Sequence, residues 1–468
     1  MSPEVREVVH SAPGAEPEGP PPGASAGGPW RRLVALLSGR AASRLTVMAM
    51  RIAAMALNFG VQLVMARVMG LSAFGVTNTA LAMLNILVIP ATLGYETAAI
   101  RFVALTRDDQ PHLRALTVRF GRNVLIASVV TCLLITLAAL IEQRLGNADQ
   151  AVALAMLVLI VPGFALVRVG EGWLRGVGSL VRALVNSGVV IPVLSIVLIV
   201  GEWLLLGRED VGVGGALGAR AIATGLAVLT VAVFVAGKLG GKLRPREEIE
   251  PSMASDIHRT AVVLCGVAFL AMVVSQIDIV AVSIFKGSEQ AGLYSAASRV
   301  AQAMNVALVA VNFVLAPRIA QLFAERKTVK LQEEVCSAAN WCLCLMALAC
   351  AILIPGATLV LHAFGPDFGA AADALRILML GQLINALCGP AGTILNMTGN
   401  QRQAIKALSA SAVVDVLLFG LLIPPFGLTG AACATAVCTA VWNVGMALYV
   451  RHDLGVWSLP SPLERILP

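Results

Sequence analysis

Apolar runs of about 20 residues recur down almost the whole chain, each long enough to cross a hydrocarbon core of roughly 30 Å as a helix. They are continuous rather than alternating, and rich in Ala, Leu and Val, which predicts helices and not the strands of a barrel. Twelve are predicted, at about 46–69, 76–105, 120–141, 150–170, 180–205, 212–237, 257–285, 290–318, 335–362, 370–395, 403–425 and 427–450. The expected fold class is an all-α polytopic membrane protein.

The polar positions between the runs set an orientation. Basic residues crowd alternate loops: Arg31, Arg32, Arg40 and Arg44 before the first run, Arg107, Arg114, Arg119 and Arg122 after the second, then Arg175 with Arg182, and Lys238 through Arg259. Arg326, Lys327 and Lys330, then Arg402 with Lys406, and finally Arg451 continue the alternation. The intervening loops hold only Arg144, Arg208 and Lys286. By the positive-inside rule both termini are expected in the cytoplasm. A missed helix would invert every later loop, so the alternation also supports the count of twelve.

Composition agrees: 58% of the 468 residues are hydrophobic and 13% charged, where soluble chains average roughly 25% charged. The net charge of +7 is therefore read as orientation, and no nucleic-acid partner is expected. Residues 1–40, rich in Pro, Gly and Glu, are expected to be a disordered cytoplasmic tail and not a signal peptide. The nine cysteines all fall in apolar runs, where they read as small buried hydrophobes, with no spacing that suggests a metal site or disulfides. No Walker A sequence is present, so direct use of ATP is not expected, and no cofactor is predicted.

A repeat organises the chain. "MGLSAFG" (69–75) and "FKGSEQAG" (285–292) share a Gly-x-x-x-x-Gly spacing, and an offset of 217 places Gly70 on Gly287, Gly75 on Gly292 and Arg101 on Arg318. "RGVGSLVRAL" (175–184) matches "NMTGNQRQAI" (396–405) at 221, and "GVGGALGA" (212–219) matches "GLTGAACA" (427–434) at 215. Two parallel six-helix lobes follow, at 41–237 and 257–451, with a cytoplasmic linker at 238–256 and a tail at 452–468. Lobes so related enclose a central cleft, the geometry of alternating access.

Ionisable groups inside a span cost roughly 2.5–3.5 kcal/mol each at the helix centre, so they mark a bundle interior or a wet cavity. Arg220, Arg299 and Asp415 are placed near the midplane, Asp278, Asp373 and Arg376 toward the outer side, and Arg51, Glu96, Arg101, Arg168 and Glu171 toward the inner side. Helical periodicity puts Arg51, Asn58 and Gln62 on one face, Asn78, Asn85, Thr92 and Glu96 on another, and Ser295, Arg299, Gln302 and Asn305 on a third. The 217 offset maps Asn85 onto Gln302, Asn78 onto Ser295 and Asn58 onto Ser275. Hydrogen bonding between helices within a lobe would produce such stripes as well.

Guanidinium stays charged almost everywhere and pairs with phosphate through a fork of donors, so Arg51, Arg220, Arg299 and Arg376 favour an anionic, phosphate-bearing cargo. Asp278, Asp415 and Glu96 are candidates for ion coupling, or else internal partners of those arginines. Asn58, Asn85 and Gln302 complete the expected substrate-binding set. Pro90, Pro162, Pro192 and Pro390 are expected to kink their helices.

"NFGVQLVMARVMGLSAFGVTNTALAML" followed by "LGYETAAIRFVA" resembles the opening of the polysaccharide flippases in the multidrug, oligosaccharidyl-lipid and polysaccharide exporter superfamily. The matching positions are Ala66, Arg67, Gly70, Phe74, Gly75, Gly94, Ala98, Arg101 and Phe102. "LRGVGSLVRAL" is similar to the loop before the fifth helix in that family. The resemblance implies a non-enzymatic, multi-pass transporter of the inner (plasma) membrane that moves a polyprenyl-pyrophosphate-linked oligosaccharide from the cytoplasmic to the outer leaflet for cell-surface polysaccharide (lipopolysaccharide or exopolysaccharide) synthesis. Its partners would be membrane lipid, the lipid-linked substrate, and polysaccharide polymerase and glycosyltransferases. A drug or cation antiporter of the same fold is the first alternative, and a membrane enzyme of polysaccharide assembly the second.

Overall fold

The computed structural model describes residues 40–206, 211–240 and 251–460. The tail expected over 1–40 lies outside them apart from Arg40, as do 241–250 of the expected linker and 461–468 of the last segment. Residues Val47–Pro468 form one compact unit.

The helices in chain order are α1 (Arg40–Met69), α2 (Leu71–Thr92), α3 (Tyr95–Leu105), α4 (Gln110–Arg144) and α5 (Ala148–Gly176). Then come α6 (Leu180–Val185), α7 (Ile191–Leu206), α8 (Val213–Lys238), α9 (Pro251–Ala303) and α10 (Asn305–Ala324). The last are α11 (Thr328–Leu353), α12 (Ala357–His362), α13 (Ala372–Leu387), α14 (Ala391–Met397) and α15 (Gln401–Leu454). No strand occurs among the described residues.

Ten described helices are long and apolar enough to cross a membrane. Two of them are broken at a glycine: α9 at Gly287 and α15 at Gly427. Each of those two supplies a pair of crossings, and the total is the twelve expected.

The repeat is visible in backbone angles. Gly70 (φ 77°, ψ 174°) and Gly287 (φ 82°, ψ 178°) adopt one conformation, in a region that costs any residue with a Cβ. Gly178 (φ 80°) and Gly399 (φ 83°), the pair at offset 221, agree in φ. The third landmark diverges, since Gly212 has φ −88° and Gly427 φ 56°.

The four prolines expected to kink their helices have different surroundings. Pro90 precedes the end of α2, where Leu93 donates its N–H to the Pro90 carbonyl and the chain turns into α3. Pro192 lies just past a π-helical turn, Asn186–Val190, between α6 and α7. Lacking an N–H, Pro192 cannot close the regular bond to Gly188, and the turn widens. Pro390 separates α13 from α14, and Pro162 sits inside an unbroken α5.

In the first lobe α5 is the hub, packed on by α2, α3, α4 and α8. In the second lobe α15 has that place, against α9, α13 and α14. The outward faces are apolar and exposed, as at Leu133 (65%) and Leu134 (62%) of α4, which is what a bilayer requires.

The lobes meet chiefly where α2 crosses α9. At the end carrying the Gly70 and Gly287 turns the closure is tight. A Cβ added to Gly75 would overlap the Ser288 carbonyl, and one on Gly292 would press on the Leu71 carbonyl. Ser72 Oγ lies 3.1 Å from Ser288 Oγ. Arg67 donates to the carbonyls of Ala363 at 2.6 Å and His362 at 3.0 Å. Phe59 packs edge-on against Phe364, and Phe74 against Phe368.

At the opposite end, where the basic loops lie, contact between the lobes is one-sided. Gly94 packs against the Ala261 carbonyl, and the Cys265 thiol reaches the Ile89 carbonyl at 3.6 Å. In the counterpart pairing, α1 with α10, the Arg51 guanidinium lies 5.9 Å from the centre of the Phe313 ring.

Candidate functional site

A cavity of about 530 Å³ lies between the lobes. At 1.5 Å per residue, Asn58 and Arg299 stand about 18 Å, and Asn85 and Gln302 about 22 Å, from the Gly70 and Gly287 turns, near mid-membrane. Those four residues, Gln62 and Arg220 supply its polar wall, and Ile52, Met55, Phe59, Leu84 and Phe164 the apolar one.

The cavity thus unites five of the seven residues expected to bind substrate: Asn58, Asn85, Arg220, Arg299 and Gln302. Asn85 and Gln302, equivalent under the 217 offset, face the same space. Arg51 is outside the lining, two turns along α1 from Asn58 and exposed beside Phe313. Arg376 is also outside it, donating to Asp373 at 2.5 Å and to the Ile354 carbonyl at 3.2 Å.

The two cavity arginines are short of partners. Arg220 stacks at 5.6 Å over the Phe164 ring, and its Nε is buried with no hydrogen-bond partner. Arg299 donates to Gln302 Oε1 at 3.4 Å, and its Nε is likewise buried and unpartnered. Among the described residues neither has a carboxylate within the 4.0 Å of a salt bridge. Two half-buried guanidinium groups with no carboxylate in salt-bridge range, the charge of Asp278 reaching Arg299 only from beyond that range, give the space an affinity for anions, and their planar forks suit phosphate oxygens.

A second cavity of about 340 Å³ lies within the second lobe and shares Gln302 with the first. It is acidic, containing Asp278 and Asp415, with Ser411 and Thr435 beside them. Asp278 accepts from its neighbour's Ile279 N–H at 2.8 Å and from the Tyr294 hydroxyl at 3.1 Å; that hydroxyl lies 2.8 Å from Thr435 Oγ1. Under the 215 offset Thr435 is the counterpart of Arg220. One lobe therefore presents a cation where the other presents a hydroxyl tied to a carboxylate.

Glu96 is apart from both acids. It pairs with Arg168 at 2.8 Å, joining α3 to α5 in the first lobe. Glu171, one turn on, is buried and accepts the Ser187 N–H at 2.9 Å, bracing the π-helical turn whose Ser187 lines the central cavity.

Periodicity could not have identified Phe164, Ser187 or Tyr294. Phe164 has no polar signal, and Ser187 enters through a widened turn that shifts the helical register. Tyr294 had a usable signal, since a hydroxyl inside a span needs a partner.

Comparison with known proteins adds the following. Residues 42–323 match the family profile described as "Polysaccharide biosynthesis protein", and 264–421 match the profile "MatE". A curated relative from Haloferax volcanii, the "Probable low-salt glycan biosynthesis flippase Agl15", is 25% identical over 400 residues, spanning 84% of this chain and 79% of its own. Among solved structures, an inward-facing multidrug resistance MATE family transporter of the MOP superfamily superposes with a TM-score of 0.70 at 16% identity, over 91% of this chain and 99% of its own. A MOP superfamily transporter from Pyrococcus furiosus, described by the reverse polarity of its binding pocket, gives 0.61 at 18% identity over 88% and 95%. These structural likenesses establish the two-lobed twelve-helix fold.

Proposed function

The chain belongs to the family of polysaccharide biosynthesis proteins, and from that premise we propose that it flips a polyprenyl-pyrophosphate-linked oligosaccharide across the inner membrane by alternating access. The observation that carries this reading is the pair Arg220 and Arg299, half-buried, each with a buried Nε that lacks a hydrogen-bond partner, and facing one cavity between the lobes. The pyrophosphate is the group they would hold, with Asn58, Asn85 and Gln302 offering amides to the adjoining sugar. The lipid tail would stay in the bilayer.

Orientation follows from the positive-inside rule, which places the basic-loop end in the cytoplasm. The closed Gly75–Gly292 crossing then faces outward, and the loosely joined side between α1 and α10 faces the leaflet on which the substrate is made. A cation antiporter would be expected to set carboxylates where Arg220 and Arg299 stand. The flippase reading involves no bond-making, with polymerase and glycosyltransferases acting before and after it.

Deletion of the gene tests this. Lipid-linked oligosaccharide is expected to accumulate on the cytoplasmic leaflet, with its repeat unit complete. Accumulation of incomplete units, or on the outer leaflet, would instead place the protein among the assembly enzymes.

Asp278 and Asp415 are assigned the coupling ion, leaving Glu96 as the structural partner of Arg168. Asp278→Asn keeps an acceptor for the Tyr294 hydroxyl and removes the charge. In proteoliposomes the variant is expected to flip substrate at a rate indifferent to an imposed proton or sodium gradient. A gradient response equal to that of the parent would remove Asp278 from coupling.

A further inference from the structure

We propose that the first lobe carries a binding site for an anionic phospholipid, in a groove between α4, α5 and α8 at the basic-loop end. The groove holds about 230 Å³ and is walled by the stretches Thr117 to Gly121, Leu166 to Trp173 and Val228 to Val235. Within each stretch the lining positions recur at three and four residues, so one stripe of each helix faces in. The slot runs about 10 Å along the helices. Its margins, Val118 (41% exposed) and Val233 (67%), face outward with the apolar surface of the lobe, which opens it to the bilayer.

The slot ends in positive charge. One turn beyond Thr117 on α4 stands Arg114, which donates to the Leu239 carbonyl at the end of α8 at 3.1 Å and whose Nε is buried without a partner. Lys238 lies exposed beside that carbonyl, and Arg182 stacks 5.7 Å over the Phe234 ring of the same helix. Among the described residues none of the three has a carboxylate in salt-bridge range. Trp173, 2% exposed, lines the slot and has an indole N–H with no acceptor.

An apolar slot, an unspent N–H donor and a cluster of unpaired cations, in that order from the membrane interior to its surface, match an acyl chain, an ester carbonyl and a phosphodiester. The slot opens to bulk bilayer and not to the arginine-lined cavity, so the occupant is a bilayer lipid, not the transported substrate.

Full-length protein in phosphatidylcholine nanodiscs, titrated with phosphatidylglycerol and followed by thermal unfolding, tests the site. A Cβ on Gly121, which lines the slot, meets nothing within 4 Å, so Gly121→Leu is expected to extend into the slot; Arg114→Gln removes the charge. The parent is expected to be stabilised by phosphatidylglycerol, with each variant needing about tenfold more lipid for the same effect. The Gly121→Leu melting temperature in pure phosphatidylcholine should stay at the parental value, which separates loss of the site from loss of the fold. Equal stabilisation of parent and both variants would overturn the proposal. So would stabilisation by polyprenyl phosphate but not by phosphatidylglycerol, which would make the groove a rest for the carrier lipid.

Discussion

Strains whose only copy carries Arg299→Ala or Arg220→Ala are expected to lose surface polysaccharide about a hundredfold while keeping normal amounts of the protein in the membrane. A charge-assisted hydrogen bond from guanidinium to phosphate contributes about 1.5–3 kcal/mol, and a forked pair more than a single bond. Loss of about 2.8 kcal/mol is a hundredfold in occupancy. Lysine at either position keeps the charge but not the fork, so Arg299→Lys should fall between alanine and the parent. Arg376→Ala serves as the contrast: its guanidinium is engaged by Asp373 and the Ile354 carbonyl, outside the cavity, and export should stay near parental. Glycan staining set against an immunoblot of membranes decides the matter. Normal export from both alanine variants would remove the arginines from substrate recognition.

The second large effect concerns the closed end. With Ser72 and Ser288 both changed to cysteine, oxidation should lock the lobes together and stop flipping, and a reductant should restore it. The two hydroxyls are 3.1 Å apart, and a disulfide needs its sulfurs at about 2.05 Å, a shift that modest side-chain rotation supplies. The crossing beneath is glycine on backbone, with no room for slack. If transport requires this end to part, the cross-link leaves the cavity accessible from one side alone. Among the described residues none of the nine native cysteines is in a disulfide, so the measurement belongs in a background where the exposed Cys344 and Cys433 are serine. Undiminished flipping by the fully oxidised protein would mean that the Gly75–Gly292 crossing stays shut throughout the cycle.

The fold was legible because its two signals are redundant. Alternating basic loops and a repeat with three landmarks independently require an even number of crossings, and Gly70 with Gly287 turned out to share both backbone angles. The cavity was legible in part. Helical periodicity reports which face a residue lies on but not how far along the axis it sits, so Arg51 shares a stripe with Asn58 and still stands clear of the cavity. Distance from the turn glycines would have separated them: 19 residues for Arg51 against 12 for Asn58. Charge pairing was legible only within a helix: Asp373 and Arg376 stand three residues apart on α13, whereas the Arg168–Glu96 pair depends on how α3 and α5 face each other, and the distance of Arg220 and Arg299 from any carboxylate depends on the packing of several helices.

The Gly75–Gly292 crossing also bears on how the protein is made. Its two halves are separated by 217 positions, and at roughly 5–20 residues per second the ribosome needs about 10–40 s to pass from one to the other. During that interval α2 is already in the membrane with its partner unmade, and Thr77 and Asn78, which end up 1% and 0% exposed, are left to lipid or to whatever escorts the nascent chain. The half-finished product is thus expected to be open to degradation, and slowing synthesis of the second lobe should send more of it to proteolysis.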